Sequence, residues 1–434
     1  MTDDRNRSSD KIPPTRAIAS WCLYDWANSA YNTIITTFVF SVYFARGVVG
    51  DPVEGTARWG AAMTAAGVAI ALLSPVLGAI ADRAGRRKPW MVLFTGLTVA
   101  FTVALWWVRP DPADAAFALA CVVIATVSFE LANVFYNASL PGLVPPRLLG
   151  RVSGWGWGIG YFGGLTCLVL ALVGFVQAPA PLFGLFGLQW ADWGEQANVR
   201  ATVLLAAVWY GVFALPYFLW VPDEPSTGQG LLRAARDGVT TLVATLREAR
   251  RYRQVMRFLI ASAFYRDGIN TITAFGGIFA AGTFGMSFEE ILVFAIVLNV
   301  VAGAGAIGFA WMDDRVGAKP VILIALAGMS FCSVPLLLAT DRLWFWVFAL
   351  GLGLFFGPAQ AAGRSMMARL APPGMAGEMF GLYSLTGRFV GFFGPLLFGL
   401  ATQAFASQRV GMATVLAFFV IGFGLMLAVR EPAR

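Results

Sequence analysis

Three apolar segments of the sequence carry carboxylate and amide side chains at helical spacing. These side chains are Asp25, Asn28 and Asn32 in the first segment, Glu130, Asn133 and Asn137 in the second, and Asp267, Asn270 and Thr271 in the third. In the first two segments the spacing is i, i+3, i+7, which places the side chains on one face of a helix. Amide groups can hydrogen-bond a small polar solute, and a carboxyl group removed from water takes up a proton more readily. We therefore predict a solute-binding face on which carboxylates exchange protons.

Aromatic and cationic side chains accompany these polar faces. They are Tyr24, Tyr31 and Tyr136, which we expect to shape the binding site, and Arg266 and Arg388, which also lie inside apolar segments. A charge within a membrane costs at least about 2.5–3.5 kcal/mol on insertion scales, so each of these charges needs a partner or an aqueous cavity. The carboxylates and arginines either take part in proton coupling or form structural ion pairs. In the second case Arg266 pairs with Asp25 or Glu130. Arg388 then pairs with another carboxylate.

The composition excludes most soluble classes of protein. Of the 434 residues, 58% are hydrophobic and only 13% are charged, whereas soluble proteins are about 25% charged. The sequence has no histidine, which rules out histidine metal ligands and histidine general bases. Its cysteines lie in apolar segments without C-x-x-C spacing, so neither disulfides nor a zinc site is expected. We expect no metal and no cofactor.

Twelve apolar segments are long enough to cross a membrane as helices, since about 20 residues span about 30 Å of hydrocarbon. Their approximate limits are 17–45, 57–81, 89–108, 114–140, 150–176, 199–221, 256–283, 289–312, 320–340, 343–368, 378–405 and 410–429. The longest polar stretch follows the sixth segment. We therefore predict an all-α membrane protein of two six-helix bundles. Its four parts are a cytoplasmic tail (1–16), a first bundle (17–221), a cytoplasmic linker (222–255) and a second bundle (256–430).

Arginine and lysine residues are distributed unequally between the two ends of the predicted helices. With a cytoplasmic N-terminus, 23 of the 31 lie on the cytoplasmic side, Arg364 among them, and six lie on the opposite side. This asymmetry predicts that both termini are cytoplasmic. Arginine greatly outnumbers lysine, which favours a bacterial protein of the inner membrane.

The linker has a helical pattern of its own. Its apolar stripe consists of Leu231, Leu232, Ala235, Val239, Leu242, Val243 and Leu246, and arginines lie largely off this stripe. We predict an amphipathic helix at the membrane surface. The alternative is a charged tether without such a helix.

Matching landmarks in the two halves indicate an internal duplication. Asp82-Arg83-Ala84-Gly85 before Lys88-Pro89 parallels Asp314-Arg315-Val316-Gly317 before Lys319-Pro320. Pro145-Pro146 with Gly150 and Gly154 parallels Pro372-Pro373 with Gly377 and Gly381 at identical spacing. Such repeats are typical of secondary transporters, whose halves rock about a central site.

The segment Gly78-x-x-x-Asp82-Arg83-x-Gly85-Arg86-Arg87 resembles the signature of the major facilitator superfamily in the loop between its second and third helices. The resemblance implies twelve helices in two halves. It also implies a conformational latch on the cytoplasmic side, formed by Gly78, Asp82, Arg83, Gly85, Arg86 and Arg87. The second copy, with Asp314, Arg315 and Gly317, lacks the paired arginines, so we expect it to hold less strongly.

Three further stretches resemble the autophagy-related vacuolar effluxer branch of that superfamily. They are the run from Trp21 to Tyr31, the pattern Tyr265-x-Asp267-Gly268-x-x-Thr271, and the run from Phe380 to Arg388. This resemblance implies export of amino acids, the activity in which fungal members are implicated. Arg266, between Tyr265 and Asp267, departs from the pattern of that branch.

Together these features predict a secondary active transporter rather than an enzyme. It would move a small polar metabolite, most simply an amino acid, by alternating access with protons as candidate coupling ions. The chain has no P-loop, no H-E-x-x-H and no G-x-S-x-G motif, so neither direct use of ATP nor these hydrolase chemistries are expected. The alternatives are a carrier of amphiphilic or lipid-like molecules and a non-transporting membrane receptor. We expect a monomer in the lipid bilayer that binds no nucleic acid.

Overall fold

The protein is helical throughout the part that the computed structural model describes, residues 14–176, 194–225, 227–228, 230–247, 251–391 and 393–432. No strand occurs among these residues, which confirms the all-α prediction. The first half contains α1 Thr15–Tyr31, α2 Pro52–Ala84, α3 Lys88–Ala104, α4 Ala115–Leu143, α5 Leu149–Ala171 and α6 Ala197–Trp220. The linker contains α7 Leu231–Arg247. The second half contains α8 Arg253–Phe284, α9 Phe288–Val316, α10 Ala318–Leu338, α11 Arg342–Leu370, α12 Ala376–Val390, α13 Phe393–Phe405 and α14 Gln408–Leu427.

Ten of the predicted spans are helices long and apolar enough to cross a membrane, judged by length and composition within the described residues. The two others are also helical but do not meet that criterion. The regular part of the first, α1, has only 17 residues. The seventh, α8, has 32 residues and includes charged residues such as Arg257, Arg266 and Asp267. The predicted count of twelve is therefore not fully reproduced by length and composition.

The predicted first span does not continue as one regular helix. After α1 the chain forms π-helical turns at Asn32–Phe38 and Phe44–Val48, with a short α-helical turn between them. The hydroxyls of Thr36 and Thr37 donate to the carbonyl of Asn32 at 2.8 and 2.9 Å. Side chains that bond the local backbone compete with the regular helical ladder, which accounts for the change of helix type at this point.

The predicted eleventh span is divided into α12 and α13. The new helix begins next to Gly394-Pro395, and proline is tolerated in the first turn of a helix because its missing N–H would have no partner there. The backbone N–H of Gly394 donates to the Asp267 carboxylate at 2.8 Å. Asp267 therefore caps a helix end inside the second half.

The most extensive contacts between the halves are made by two pairs of helices: α2 packs against α12, and α5 packs against α9. Glycines allow the close approach. A Cβ atom at Gly78 of α2 would lie 2.1 Å from the carbonyl oxygen of Gly377, and one at Gly154 of α5 would lie 2.5 Å from the Ala310 side chain. On its other side α5 packs against α1 along Gly156, Gly160 and Gly164. Small residues at such positions are typical of tightly packed membrane helices.

The linker helix α7 lies against α2. Its Ala234 and Leu242 are buried, and a Cβ atom at Gly238 would meet the backbone of α2 at 2.9 Å. Val239 and Val243, two members of the predicted apolar stripe, are 42% and 39% exposed. The face that packs on the protein is therefore rotated from the predicted stripe. The side chains of Leu231, Leu232 and Leu246, Arg250 and most of the tail 1–16 lie outside the described residues.

The two halves repeat one hydrogen-bonding pattern at the end of the bundle that carries α7, which we call the linker face. The Asp223 carboxylate accepts the backbone N–H of Lys88 at 3.2 Å, at the start of α3. The Glu431 carboxylate accepts the backbone N–H of Lys319 at 3.0 Å, at the start of α10. Acceptors at these positions satisfy N–H groups that have no partner within the helix. The repeat extends the sequence duplication to three-dimensional contacts.

Candidate substrate-binding cavity

A cavity of about 1160 Å³ lies between the two halves. Its walls carry amide side chains from both halves, namely Asn28, Asn32, Asn133, Asn137, Asn270 and Asn299. The Asn28 side chain donates to that of Asn133 at 3.1 Å, which fixes the relative orientation of α1 and α4. The structure thus brings the five sequence-predicted asparagines together around one space and adds Asn299.

The cavity is closed toward the linker face and open toward the opposite end. Helix α2 shows the difference along its length. Near the linker face its Gly78 contacts Gly377, whereas Met63, Thr64 and Val68, nearer the other end, line the cavity. The structure therefore represents a state with access from the end opposite the linker.

Asp25 forms an ion pair with Arg364 of α11 that joins the two halves beside the cavity. The Arg364 Nη1 atom lies 2.8 Å from Asp25 Oδ2, and only 4% of Arg364 is exposed. Arg364 also donates to the hydroxyl and carbonyl oxygens of Ser153 at 2.9 and 2.6 Å, and its guanidinium lies 4.7 Å from the centre of the Trp21 ring. A Cβ atom at Gly156 would come within 2.7 Å of both members of the pair. Only glycine leaves room for it.

Glu130 forms a second ion pair between the halves, with Arg388 of α12. Both side chains line the cavity and are partly exposed, 25% for Glu130 and 39% for Arg388. This pair is therefore more accessible to solvent than that of Asp25 and Arg364. Neither carboxylate pairs with Arg266, which differs from the pairing considered from the sequence.

Arg266 lines the cavity in a different environment. Its Nη1 atom donates to the Tyr383 carbonyl at 3.0 Å, and its guanidinium lies 4.1 Å from the centre of the Tyr383 ring. In the described part of the chain no carboxylate lies within ion-pair distance of Arg266. Its neighbour in sequence, Asp267, is buried and accepts the N–H of Gly394 instead.

Several sequence-predicted site residues do not line the cavity. Tyr24, Tyr31 and Tyr136 are fully buried within the first half, where their hydroxyls bond Thr95 and Tyr210, Thr126, and the Trp21 carbonyl, respectively. Asp267 and Thr271 are buried where α8 meets α13. The difference arises from the position of each side chain around its helix. The five side chains lie on faces next to the asparagine faces, and these neighbouring faces pack against other helices of the same half.

Arg364 was assigned from the sequence to the cytoplasmic side and not to the site. It nevertheless falls inside the predicted span 343–368, and a charged residue within a membrane span is a sequence signal for a functional site. Gln360, one turn earlier on α11, also lines the cavity and donates to the Tyr161 hydroxyl at 3.0 Å. Trp157 and Tyr383 are further aromatic walls. Their exposure to the cavity depends on how the two halves pack together, and no pattern in the neighbouring sequence predicts that packing.

The predicted latch residues lie together at the linker face. The Asp82 carboxylate accepts the backbone N–H groups of Gly377 and Glu378, at the start of α12, at 2.9 and 2.8 Å. Arg87 donates to Asp82 at 2.9 Å and to Glu224 at 2.5 Å. Burial disfavours the charged guanidinium, but these two carboxylates outweigh it and raise the pKa of Arg87 above its ordinary value. Asp82 thus links the first half to the start of a helix in the second.

The remaining latch residues have supporting positions. Arg83 donates to the Thr241 hydroxyl of α7 at 2.5 Å, and Arg86 is exposed. Gly85 has a φ of +86°, a conformation that favours glycine, and ends α2. A Cβ atom there would also lie 2.4 Å from the Pro225 carbonyl oxygen.

The second copy of the motif makes the reciprocal contact. The Asp314 carboxylate accepts the backbone N–H of Arg151, near the start of α5, at 3.0 Å and forms an ion pair with its side chain at 3.2 Å. Gly317 has a φ of +103° and ends α9, and Arg315 is exposed. Asp313, just before the copy, pairs with Arg369 within the second half at 2.6 Å. The two halves therefore hold each other through one aspartate of each repeat.

Comparison with protein families identifies two matching regions. A family model described as "Vacuole effluxer Atg22 like" matches residues 147–432, more than half of the chain. A model described as "Major Facilitator Superfamily" matches residues 10–168.

Individual proteins are similar over different shares of the chain. The "Uncharacterized MFS-type transporter YxiO" of Bacillus subtilis (strain 168) is 27% identical over 426 residues, which cover 96% of this chain and 95% of the relative. "Autophagy-related protein 22" of Cryptococcus neoformans var. neoformans serotype D (strain B-3501A) is 25% identical over 291 residues, which cover 62% of this chain and 51% of the relative. The match thus spans about half the length of this fungal protein.

Solved transporter structures share the fold. The human organic anion transporter MFSD10 (TETRAN) superposes with a TM-score of 0.73 at 15% identity, covering 95% of this chain and 100% of that chain. The transporter FucP in its outward conformation superposes with a TM-score of 0.74 at 14% identity, covering 96% and 99%.

Proposed function

The chain belongs to the Atg22-like vacuole effluxer family within the major facilitator superfamily, and from this membership we propose that it carries an amino acid across its membrane by alternating access. The observation that carries the proposal is the central cavity between the halves, with its amide walls and its opening at the end opposite the linker. Its volume of about 1160 Å³ is ample for such a solute and for water, since ligand pockets measure about 300–1,000 Å³.

The choice of an amino acid rests on the chemistry of the walls and on the family. Amide side chains can donate to a carboxylate and accept from an ammonium group, so they suit both ends of an amino acid. The cavity also exposes charged groups of both signs, with Glu130 and Arg388 partly accessible. Polar residues from α1, α4, α8 and α11 face this space together with apolar side chains such as Leu72, Phe129 and Leu165.

Alternating access requires that the contacts at the linker face separate while the opposite ends close. The contacts that must break include those of Asp25 with Arg364, Asp82 with the start of α12, and Asp314 with Arg151. Each joins one half to the other. We propose that these contacts stabilise the state with the linker face closed, and that solute binding shifts the balance between the two states.

Protons are proposed as the coupling ion through Asp25 and Glu130. Protonation would remove the charge that holds Arg364 or Arg388 across the halves, and so would favour separation of the helices at the linker face. Asp267 is a weaker candidate, because it is buried away from the cavity and holds the end of α13.

We further propose an inner-membrane location with both termini in the cytoplasm. The linker face would then be the cytoplasmic face, and the cavity would open to the outside. The division into a tail (1–16), two bundles (17–221 and 256–430) and a linker (222–255) is part of the same proposal.

The decisive experiment is transport by the purified protein in proteoliposomes. A panel of radiolabelled amino acids is screened with and without a pH gradient, with sugars and nucleosides as solute controls. The variant Asp25→Asn is compared with Glu54→Gln, which removes a carboxylate from an exposed pair far from the cavity.

Uptake of an amino acid that Asp25→Asn abolishes and Glu54→Gln retains would support the proposal. Uptake that does not respond to the pH gradient would contradict the proposed proton coupling but would still support amino-acid transport. No uptake by folded protein would contradict the amino-acid assignment and favour an amphiphilic solute or a receptor.

A further inference from the structure

The cavity walls carry more positively charged side chains than negatively charged ones. Among the described lining residues there are three guanidinium groups and two carboxylates. Asp25 neutralises Arg364, and Glu130 neutralises Arg388. Arg266 is left without a carboxylate partner, so the described walls of the cavity carry one positive charge that none of their carboxylates compensates.

The surroundings of Arg266 hold its guanidinium at the wall without neutralising it. One of its five N–H groups donates to the Tyr383 carbonyl, and its planar face lies 4.1 Å from the centre of the Tyr383 ring. Gly387 of α12 leaves the space that the group occupies, because a Cβ atom there would lie 2.9 Å from Nη1. The chain therefore provides a built position for this cation.

An arginine cannot relieve this imbalance by losing its proton, because the guanidinium group stays protonated in proteins. A charge in a partly desolvated cavity is stabilised by an anion that approaches it, and guanidinium groups bind carboxylates through parallel hydrogen bonds. Asn270 lies four residues after Arg266 on α8 and lines the same cavity. Its amide N–H can therefore reach a group bound at Arg266.

We propose that the cavity takes a small organic anion with one net negative charge, whose carboxylate is bound by Arg266 and Asn270. The proposal rests on the proposed function in taking this cavity as the transport site. It narrows the solute class, because a neutral amino acid carries a balancing ammonium group and leaves the cavity with its positive charge. Acidic amino acids and simple monocarboxylates meet the condition, and neutral or basic amino acids do not.

The test compares pairs of ligands that differ in one carboxylate. Binding of glutamate and glutamine, and of lactate and lactamide, is measured by calorimetry on the purified protein in detergent. We expect each carboxylate to bind at least about tenfold more tightly than its amide. Arg266→Gln should abolish that difference, Arg266→Lys should restore part of it, and Arg58→Gln, at an exposed arginine of α2, should keep it in full.

A second variant keeps the positive charge of Arg266 but displaces its guanidinium group. Gly387→Ala places a methyl group against the guanidinium and should weaken carboxylate binding while leaving amide binding unchanged. This variant decides the question if Arg266→Gln does not fold. Equal binding of carboxylate and amide by the wild type, binding by neither, or a preference that survives both variants would overturn the proposal.

The outcomes separate this inference from the proposed function. Arg266-dependent binding of glutamate without uptake into proteoliposomes would support the anion site and contradict transport. Uptake of a neutral amino acid together with equal binding of glutamate and glutamine would support transport and overturn the anion site.

Discussion

Asp25 and Arg364 form the most deeply buried ion pair of the cavity region, and removing one partner leaves the other charge without compensation. Breaking a buried pair costs about 3–5 kcal/mol. We expect Asp25→Asn and Arg364→Gln each to lower the free energy of unfolding by an amount of this size. The double variant should lose less than the sum of the two, because the charges interact directly. Denaturation of the four proteins in detergent measures the difference.

The matched comparison is the exposed pair of Arg58 and Glu54, for which a loss below about 1 kcal/mol is expected. Strictly additive losses for Asp25→Asn and Arg364→Gln would show that the two side chains do not stabilise each other.

Asp82 accepts three hydrogen bonds, two of them from the backbone of the other half. Hydrogen bonds to a charged group contribute about 1.5–3 kcal/mol each. We expect Asp82→Asn to raise the population with an open linker face at least about tenfold. Cysteine accessibility at the linker face measures this population.

Asp51→Asn is the control for this variant, because Asp51 also accepts backbone N–H groups, but only within α2 at its opposite end. It should change neither stability nor accessibility appreciably, because asparagine caps a helix about as well as aspartate does. Equal accessibility in the Asp82→Asn and Asp51→Asn variants would rule out the latch.

At the residue scale the sequence predicted which helix faces are polar but not which charges meet. Asn28, Asn32 and Asn133 follow a spacing that any helix converts into a shared face. The partner of Asp25, in contrast, is 339 residues away in the chain, and no local pattern encodes that contact. Tyr24 lies one position from Asp25, yet its hydroxyl is buried against Tyr210, since a rotation of about 100° per residue is enough to leave the cavity wall.

Gly78 sets the distance between α2 and α12. We expect Gly78→Ala to force these helices apart, because the added methyl group would lie 2.1 Å from the Gly377 oxygen. Transport should be lost, and spin labels on the two helices at the linker face should report a longer mean distance.

Gly60→Ala makes the same substitution in the same helix, at a position where the methyl group meets nothing within 4 Å. It should preserve both transport and distance, and it should gain slightly in helix stability. An unchanged distance in Gly78→Ala would mean that this contact does not limit the approach of the halves.

At the element scale the apolar segments predicted the helices well and their irregularities poorly. The division at Gly394-Pro395 had a visible signal in the sequence, whereas the π-helical turns after Asn32 follow from hydroxyl groups that bond the backbone. The linker helix was predicted with an apolar stripe that includes Val239 and Val243. Its buried face depends on the groove that α2 offers, which the sequence of α7 alone does not contain.

For the whole molecule, the structure and the charge asymmetry together predict labelling from opposite sides of the membrane. All four native cysteines are buried, so introduced thiols should dominate the reaction. In right-side-out bacterial vesicles we expect an impermeant maleimide to modify Val68→Cys, which lines the open cavity, at least about tenfold faster than Arg86→Cys at the linker face.

Inverted vesicles should reverse the order of labelling. The same order of labelling in both kinds of vesicle would contradict the closed linker face. Faster labelling of Arg86→Cys in right-side-out vesicles, and of Val68→Cys in inverted vesicles, would contradict the proposed cytoplasmic termini.

The reciprocal contacts of Asp82 and Asp314 have a consequence for recombination between relatives. Each contact combines a loop of one half with a helix start of the other, at Gly377 and at Arg151. A chimera that joins the first half of this chain to the second half of a related protein therefore combines, at both interfaces, a loop from one parent with a helix start from the other. Exchanging the loop of one parent together with the helix start that receives it would restore both, so the unit that can be transplanted between relatives is the interface and not the half.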